Sequence, residues 1–207
     1  MVKGYRIRRA QLRDAEAIAS VSILSWQETY EGLMPNSFLS ALETTEGQRR
    51  RDGLRKRLAT DPDGVAVAER EGRIVGFVSA RESRDEPPVT DGEIQAIYLL
   101  KDHHGLGVGR ALFEEGLSIL NSLGMKSASL WVLVGTRTEG FYKHMGGLLN
   151  GERKDRELGI AHIPYHYVTK PFQLDELLAK IREVLQQQRA NGQSSSSSHG
   201  TGAEPTR

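Results

Sequence analysis

The stretch from Glu93 to Val134 constrains the fold of this chain most. An apolar run, EIQAIYLL, ends at Leu100, and glycines follow at 105, 107 and 109. A helical pattern covers Arg110–Leu123, and a second apolar run, SASLWVLV, covers Ser127–Val134. Two such runs joined through a helix make a βαβ unit, whose strands lie parallel and whose ligand site falls at the carboxyl end of the first strand. Glycines at alternate positions bring the backbone close to a ligand, with amide N–H groups turned inward. The positive end of the following helix adds to them, so the loop suits phosphate oxygens. It is neither of two familiar phosphate loops. No Gly-Lys-Ser/Thr is present, and Arg110 stands where the dinucleotide fingerprint needs its third glycine. A strand–helix turn without a ligand is the plain alternative.

The rest of the chain surrounds this unit. Tyr5–Arg9 alternates as a short strand, and Asp14 opens a helix with Ala17, Ile18, Val21, Leu24 and Trp26 along one apolar face. Glu31–Pro35 breaks it, and Phe38–Leu58 is polar and helical in two pieces. Gly64–Arg70 and Ile74–Ala80 are strands separated by Glu71-Gly72, a hairpin signal. Arg84–Asp91, with Pro87-Pro88, is a loop; Gly135–Met145 is a short helix and Ile163–Val168 a last strand. The order predicts an α/β (α+β) fold: a mixed, mostly antiparallel sheet with flanking helices and a central βαβ unit.

Composition removes several functions. Among 207 residues, 28 Lys+Arg face 27 Asp+Glu, so the basic excess of a nucleic-acid binder is missing. There is no cysteine, hence no thiolate nucleophile, disulfide or cysteine–zinc site, which fits a reducing compartment. The start, MVKGYRIRRAQLRDAEAI, lacks an apolar signal region, and no run approaches the ~18 apolar residues of a membrane helix. The expectation is a cytoplasmic protein with neither membrane nor nucleic acid as partner. His103 and His104 are adjacent, and His162 and His166 share a strand face without a third ligand, so no metal is expected. Phe172–Arg189 carries Leu174, Leu177, Leu178, Ile181, Val184 and Leu185 at amphipathic spacing, and NGQSSSSSHGTGAEPTR is a polar tail. The predicted units are therefore a domain over 5–169, an appended helix over 170–189 and a disordered tail over 190–207. The helix's apolar stripe needs cover, from its own domain or from a second copy in a homodimer.

The segment His104-Gly105-Leu106-Gly107-Val108-Gly109-Arg110, after Tyr98-Leu99-Leu100, resembles the signature loop of the GNAT superfamily of acyl-CoA-dependent N-acetyltransferases. The family pattern Gln/Arg-x-x-Gly-x-Gly/Ala reads here as His104-x-x-Gly107-x-Gly109. Ile7–Ile18 is similar to the family's first strand and helix, and Ser25–Pro35 to a helix and loop of many bacterial members. Phe141-Tyr142-Lys143-His144-Met145-Gly146 resembles its F-Y-x-x-x-G motif. Two departures stand out: Gly135 and Thr138 where Asn and Ala are frequent, and Gly146-Gly147 where Gly-Phe is. Tyr167–Phe172 with Leu174–Leu178 further resembles the final strand and helix of response-regulator receiver domains; an added amphipathic helix is the simpler reading.

The resemblance implies acetyl-CoA as acyl donor and a small-molecule or peptide amine as acceptor. It implies that Leu99, Leu100, His104, Gly105, Leu106, Gly107, Val108, Gly109 and Arg110 hold the coenzyme, with the Leu99 amide on the thioester oxygen. Tyr142 then protonates the departing thiolate and Glu93 acts as base, with Gln95 placing water or acceptor. Trp26 and Tyr30, one helical turn apart before the lid-like loop, line the acceptor pocket, core packing being the alternative for both. Glu28, Glu31, Asp85, Glu86, Asp91 and Glu93 could make that side electronegative and suit a cationic amine. A non-catalytic regulator that binds acyl-CoA is the competing reading.

Overall fold

Glu71 and Gly72 both have positive φ, 51° and 77°, the pairing that a two-residue hairpin turn requires. The turn joins β2 (Val65–Arg70) to β3 (Arg73–Glu82), and β1 (Arg6–Arg9) pairs antiparallel with β2 on the outer side. The computed structural model describes residues 2–32, 34, 36–84, 90–133, 136, 138–149, 153–154 and 161–168, all within the unit Met1–Thr169. The expected helix over 170–189, the tail over 190–207 and Gly135 lie outside the described residues.

Between β1 and β2 run three helices, α1 (Ala15–Tyr30), α2 (Asn36–Ala41) and α3 (Thr45–Thr60). After β3 come β4 (Gly92–Leu99), α4 (Val108–Ser122), β5 (Ser127–Leu133), α5 (Thr138–His144), the two-residue strands β6 (Leu148–Leu149) and β7 (Arg153–Lys154), and β8 (Ala161–Val168). The sheet order is β1-β2-β3-β4-β5-β8-β6, with β7 also on β8. Every pairing is antiparallel except β4 with β5, the two strands of the βαβ unit. This is the predicted mixed α/β architecture. The short strands β6 and β7 escape prediction because two residues carry no periodicity.

Each face of the sheet has its own core. On one, Val108, Leu112, Phe113, Ile119 and Leu120 of α4 pack on Ala66, Ala68, Val78, Ile94 and Leu130. Burying a side chain such as Phe113 contributes about 1.5–3 kcal/mol. Gly116 lets α4 approach β3, since a Cβ there would lie 2.8 Å from Val78 Cγ2. On the other face, Ala15, Ile18, Val21 and Leu58 cover Val65, Val67 and Phe77. Leu24, expected on the apolar face of α1, is 48% exposed, whereas Ser22, Ile23 and Ser25 are buried. At 100° per residue, Leu24 falls opposite the Ala15–Ile18–Ser22 line that faces the sheet and α3.

Asp14, before the first turn of α1, fixes that helix to the sheet. It accepts from Arg8 Nη1 and Nη2 at 2.6 and 3.0 Å and from the Gln11 amide at 2.8 Å, while Arg8 Nε reaches Glu69 at 2.9 Å. The Arg8 guanidinium holds the Asp14 carboxyl below its usual range.

Candidate functional site

After Leu100 a single 3-10 turn, Lys101–His103, leads into the glycine segment. Gly105 and Gly107 adopt φ of 73° and 83°, left-handed backbone that favours glycine, and α4 begins at once at Val108. The first amide bonded within the helix region is that of Ala111, which donates to the Gly107 carbonyl at 3.1 Å. The amides of Val108, Gly109 and Arg110 therefore have no intrahelical acceptor and sit at the positive end of the helix. Gly109 differs from its neighbours: its φ is not positive, and an added Cβ would meet Phe141 and Leu99 only at ordinary contact distances of 3.7–4.0 Å. Nothing in the protein itself demands glycine there. His104 turns back and bonds through Nε2 to the Leu99 carbonyl at 2.8 Å, and Arg110 Nη2 lies 3.1 Å from His144 Nε2, linking α4 to α5.

Strands β4 and β5 pair only at Gly92↔Ala128 and Glu93↔Ser129, then part. The Leu100 amide donates to Val75 on β3 at 2.9 Å. Because backbone groups alternate in direction along a strand, the Leu99 N–H and C=O point the other way, into the opening left by β5. A bulge sharpens the divergence: Ser79 faces Ala96 and Ala80 faces Ile94, which leaves Gln95 as the extra residue on β4.

Tyr142 of α5 is 6% exposed and sits among Phe141 and Phe113, ring centroids 5.1 and 6.2 Å away. Burial pushes its hydroxyl well above the ordinary tyrosine value, and Tyr30 adds to the effect. Phe141 also touches the space beside Gly109, so α5, Leu99 and the start of α4 converge at the open end of the sheet.

Glu93 and Gln95 lie toward the closed end. Glu93 is 4% exposed, and both its oxygens accept from Arg84, Oε1 at 2.7 Å and Oε2 at 2.9 Å. The Gln95 side-chain carbonyl accepts from Arg57 Nη1 at 2.7 Å, and Arg57 Nη2 donates to the Ala80 carbonyl at 2.9 Å. In the β3 register, Arg81 faces Glu93 and Gly76 faces Leu99. Five residues at ~3.4 Å each separate the two positions, about 17 Å. Glu93 and the Leu99 amide thus occupy opposite ends of the opening.

Trp26 and Tyr30 meet edge to face at 4.8 Å, half-buried, with Tyr98 of β4 6.5 Å from the Trp26 ring. Arg50 of α3 lies over Trp26, its guanidinium carbon 4.3 Å from the ring centroid. Of the six acidic residues expected to make that side electronegative, Glu28 and Glu31 are exposed to solvent. Asp91 accepts from the Lys126 amide, Glu93 is held by Arg84, and Asp85 and Glu86 lie outside the described residues. Arg57, Arg81 and Arg84 gather about Glu93, and Arg50 stands over Trp26. Tyr98, Arg50, Arg57 and Arg84 were not singled out by the sequence. For Arg50 the signal was its place on the Gly47–Arg50–Leu54–Leu58 stripe of α3. Among the described residues no group of three or more His, Asp or Glu is placed to hold a metal, and no described helix is long and apolar enough to cross a membrane.

The glycine loop at the start of α4 and the split between β4 and β5 belong to an acetyltransferase fold. Residues 24–146 match the Acetyltransferase (GNAT) family. The chain belongs to that family. It is 37% identical over 128 residues to the uncharacterized N-acetyltransferase YuaI of Bacillus subtilis, covering 61% of this chain and 70% of that protein. It is 30% identical over 127 residues to a mycothiol acetyltransferase of Geodermatophilus obscurus, covering 59% of this chain but 41% of that one. In structure it is similar to the PaiA N-acetyltransferase of Thermoplasma acidophilum in complex with coenzyme A, with a TM-score of 0.63, 17% identity, and coverage of 79% of this chain and 99% of that chain.

Proposed function

We propose that the protein transfers an acetyl group from acetyl-CoA to a primary amine of a small molecule or peptide, by direct attack on the thioester. The observation that carries this reading is the convergence, at the open end of β4 and β5, of a Leu99 amide turned away from β3, three α4 amides without an intrahelical acceptor and the Tyr142 helix.

The residues present fit the coenzyme. Gly105 and Gly107 turn the chain, the Val108, Gly109 and Arg110 amides offer donors to the pyrophosphate, and Gly109 leaves room where the protein needs none. Leu100, Leu106 and His104 shape the loop; the His104–Leu99 bond holds the strand end beside it. Acetyl-CoA supplies the activated acyl group.

Three demands of the reaction then fall on this chain. The Leu99 N–H is aimed where the thioester oxygen gains negative charge. Tyr142 keeps its proton across neutral pH and can give it to the leaving thiolate. An amine with pKa ~10.4 is about one part in 2,500 neutral at pH 7, so a proton must leave it. Glu93, some 17 Å along the strand from Leu99 by the spacing above, can take that proton only through a file of waters, with Gln95 between. Trp26, Tyr30 and Tyr98 wall the acceptor side.

The bidentate hold of Arg84 on Glu93 favours, as the second reading, a regulator that binds acyl-CoA without turnover. Thiol release from acetyl-CoA over a panel of primary amines separates the two. Amine-dependent release is expected; tight coenzyme binding with no release from any amine overturns the enzyme reading.

A further inference from the structure

Helix α3 carries five arginines, and four of them face carboxylates. Arg49 pairs with Glu46 at 2.6 Å, Arg51 with Glu16 at 3.4 Å, Arg55 with Glu16 and with Asp52, and Arg57 with Asp61 at 3.7 Å. Arg50 is the exception. Among the described residues no carboxylate lies within 4 Å of it; its polar contact is Ser22 Oγ, at a long 3.4 Å, and its guanidinium rests on the Trp26 ring. A half-buried cation loses hydration and normally gains an anion in return. A cation–π contact of about 0.5–2 kcal/mol offsets only part of that loss.

The place of this cation matters. Trp26 touches Tyr30 and Tyr98, which are half-buried on the acceptor side of the opening. Burial raises the hydroxyl pKa of both tyrosines, and the nearby Arg50 guanidinium pulls against that rise in each. The planar fork of a single guanidinium matches a single carboxylate, and the flanking Arg49 and Arg51 are already paired with glutamates.

Resting on the acetyltransferase reading, we infer that Arg50, stacked on Trp26, binds a carboxylate of the acceptor, which makes amino-acid-like amines the substrate class. The carboxylate accepts two N–H bonds from Arg50 while the amine projects past Tyr30 toward Leu99 and Tyr142.

Binding can be read without turnover. Trp26 is one of two tryptophans, the other being Trp131, so Trp131→Phe isolates its fluorescence. Titrate the coenzyme A complex of this variant with N-acetyl amino acids, the product class, and with the matching amides. The carboxylates should saturate with at least tenfold lower Kd, and Arg50→Gln should erase the difference. Arg50→Lys, which keeps charge without the fork, should retain a reduced preference; if Arg50→Gln does not fold, Lys carries the comparison. Equal affinity for acids and amides, no response to either, or an unchanged preference in both variants overturns the inference. Carboxylate binding without turnover of any amine would sink the enzyme reading and leave the anion site standing. Turnover of amines with no carboxylate preference would do the opposite.

Discussion

Arg84 clamps Glu93 through two parallel bonds of 2.7 and 2.9 Å, although the carboxylate is nearly sealed from solvent and the arginine side chain is more than half exposed. The relationship is asymmetric. Removing Arg84 strands a buried charge, whereas neutralising Glu93 leaves an arginine that can turn to water. Arg84→Ala should therefore cost about 1–3 kcal/mol, and more than Glu93→Gln. Urea denaturation of both variants checks this. Equal costs would mean that the clamp does not hold the carboxylate in solution.

Asp14 sets an acid limit. Its carboxyl titrates below the usual range because Arg8 bonds to the charged form. The stability it contributes is fully present above the unfolded value of about 3.9 and drains away as pH falls through the lower folded value. Asp14→Asn should destabilise by about 1.5–3 kcal/mol at pH 7 and flatten the loss of stability below pH 4. Urea midpoints between pH 6 and 2.5 measure both effects, and a parallel pH profile in the variant would contradict the account.

The glycines of the loop separate strain from ligand contact. Gly107→Ala forces a side chain onto left-handed backbone and should cost about 1–2 kcal/mol. Gly109→Ala meets only ordinary contacts and should leave the melting temperature within about 2 °C, a shift of under 1 kcal/mol, yet weaken coenzyme A at least tenfold by filling the space its phosphates use. Calorimetry with coenzyme A decides; wild-type affinity in Gly109→Ala would move the phosphates elsewhere.

Much of this was legible from the residues. The β4–α4–β5 unit declared itself through two apolar runs around a glycine loop, and the β2–β3 hairpin through Glu71-Gly72. What the sequence hid were relationships fixed by long-range register. The bulge at Gln95 depends on how β3 meets β4. That Glu93 is sequestered by Arg84, and stands five paired positions from Leu99, emerges only once β3 supplies the ruler. Arg50 falls within the polar Phe38–Leu58 stretch and is not marked out there, because helix periodicity marks a face but not what covers it. Leu24 was misplaced for a related reason: α1 is buried by sheet and helix together, and composition does not say where that arc is centred.

Tyr142→Phe tests the central claim most directly. Burial raises the hydroxyl pKa above the ordinary value of about 10, so the proton-bearing form persists below that pH and the acid should not fail through tyrosine ionisation up to pH 10. The substitution keeps the ring among Phe113 and Phe141 and removes only the proton. Turnover of acetyl-CoA with one working amine, followed from pH 6 to 10, should fall by about 10²–10³, with coenzyme affinity and melting temperature nearly unchanged. A variant that retains more than half of wild-type turnover, or loses stability instead of rate, would contradict the assignment of Tyr142 as the acid.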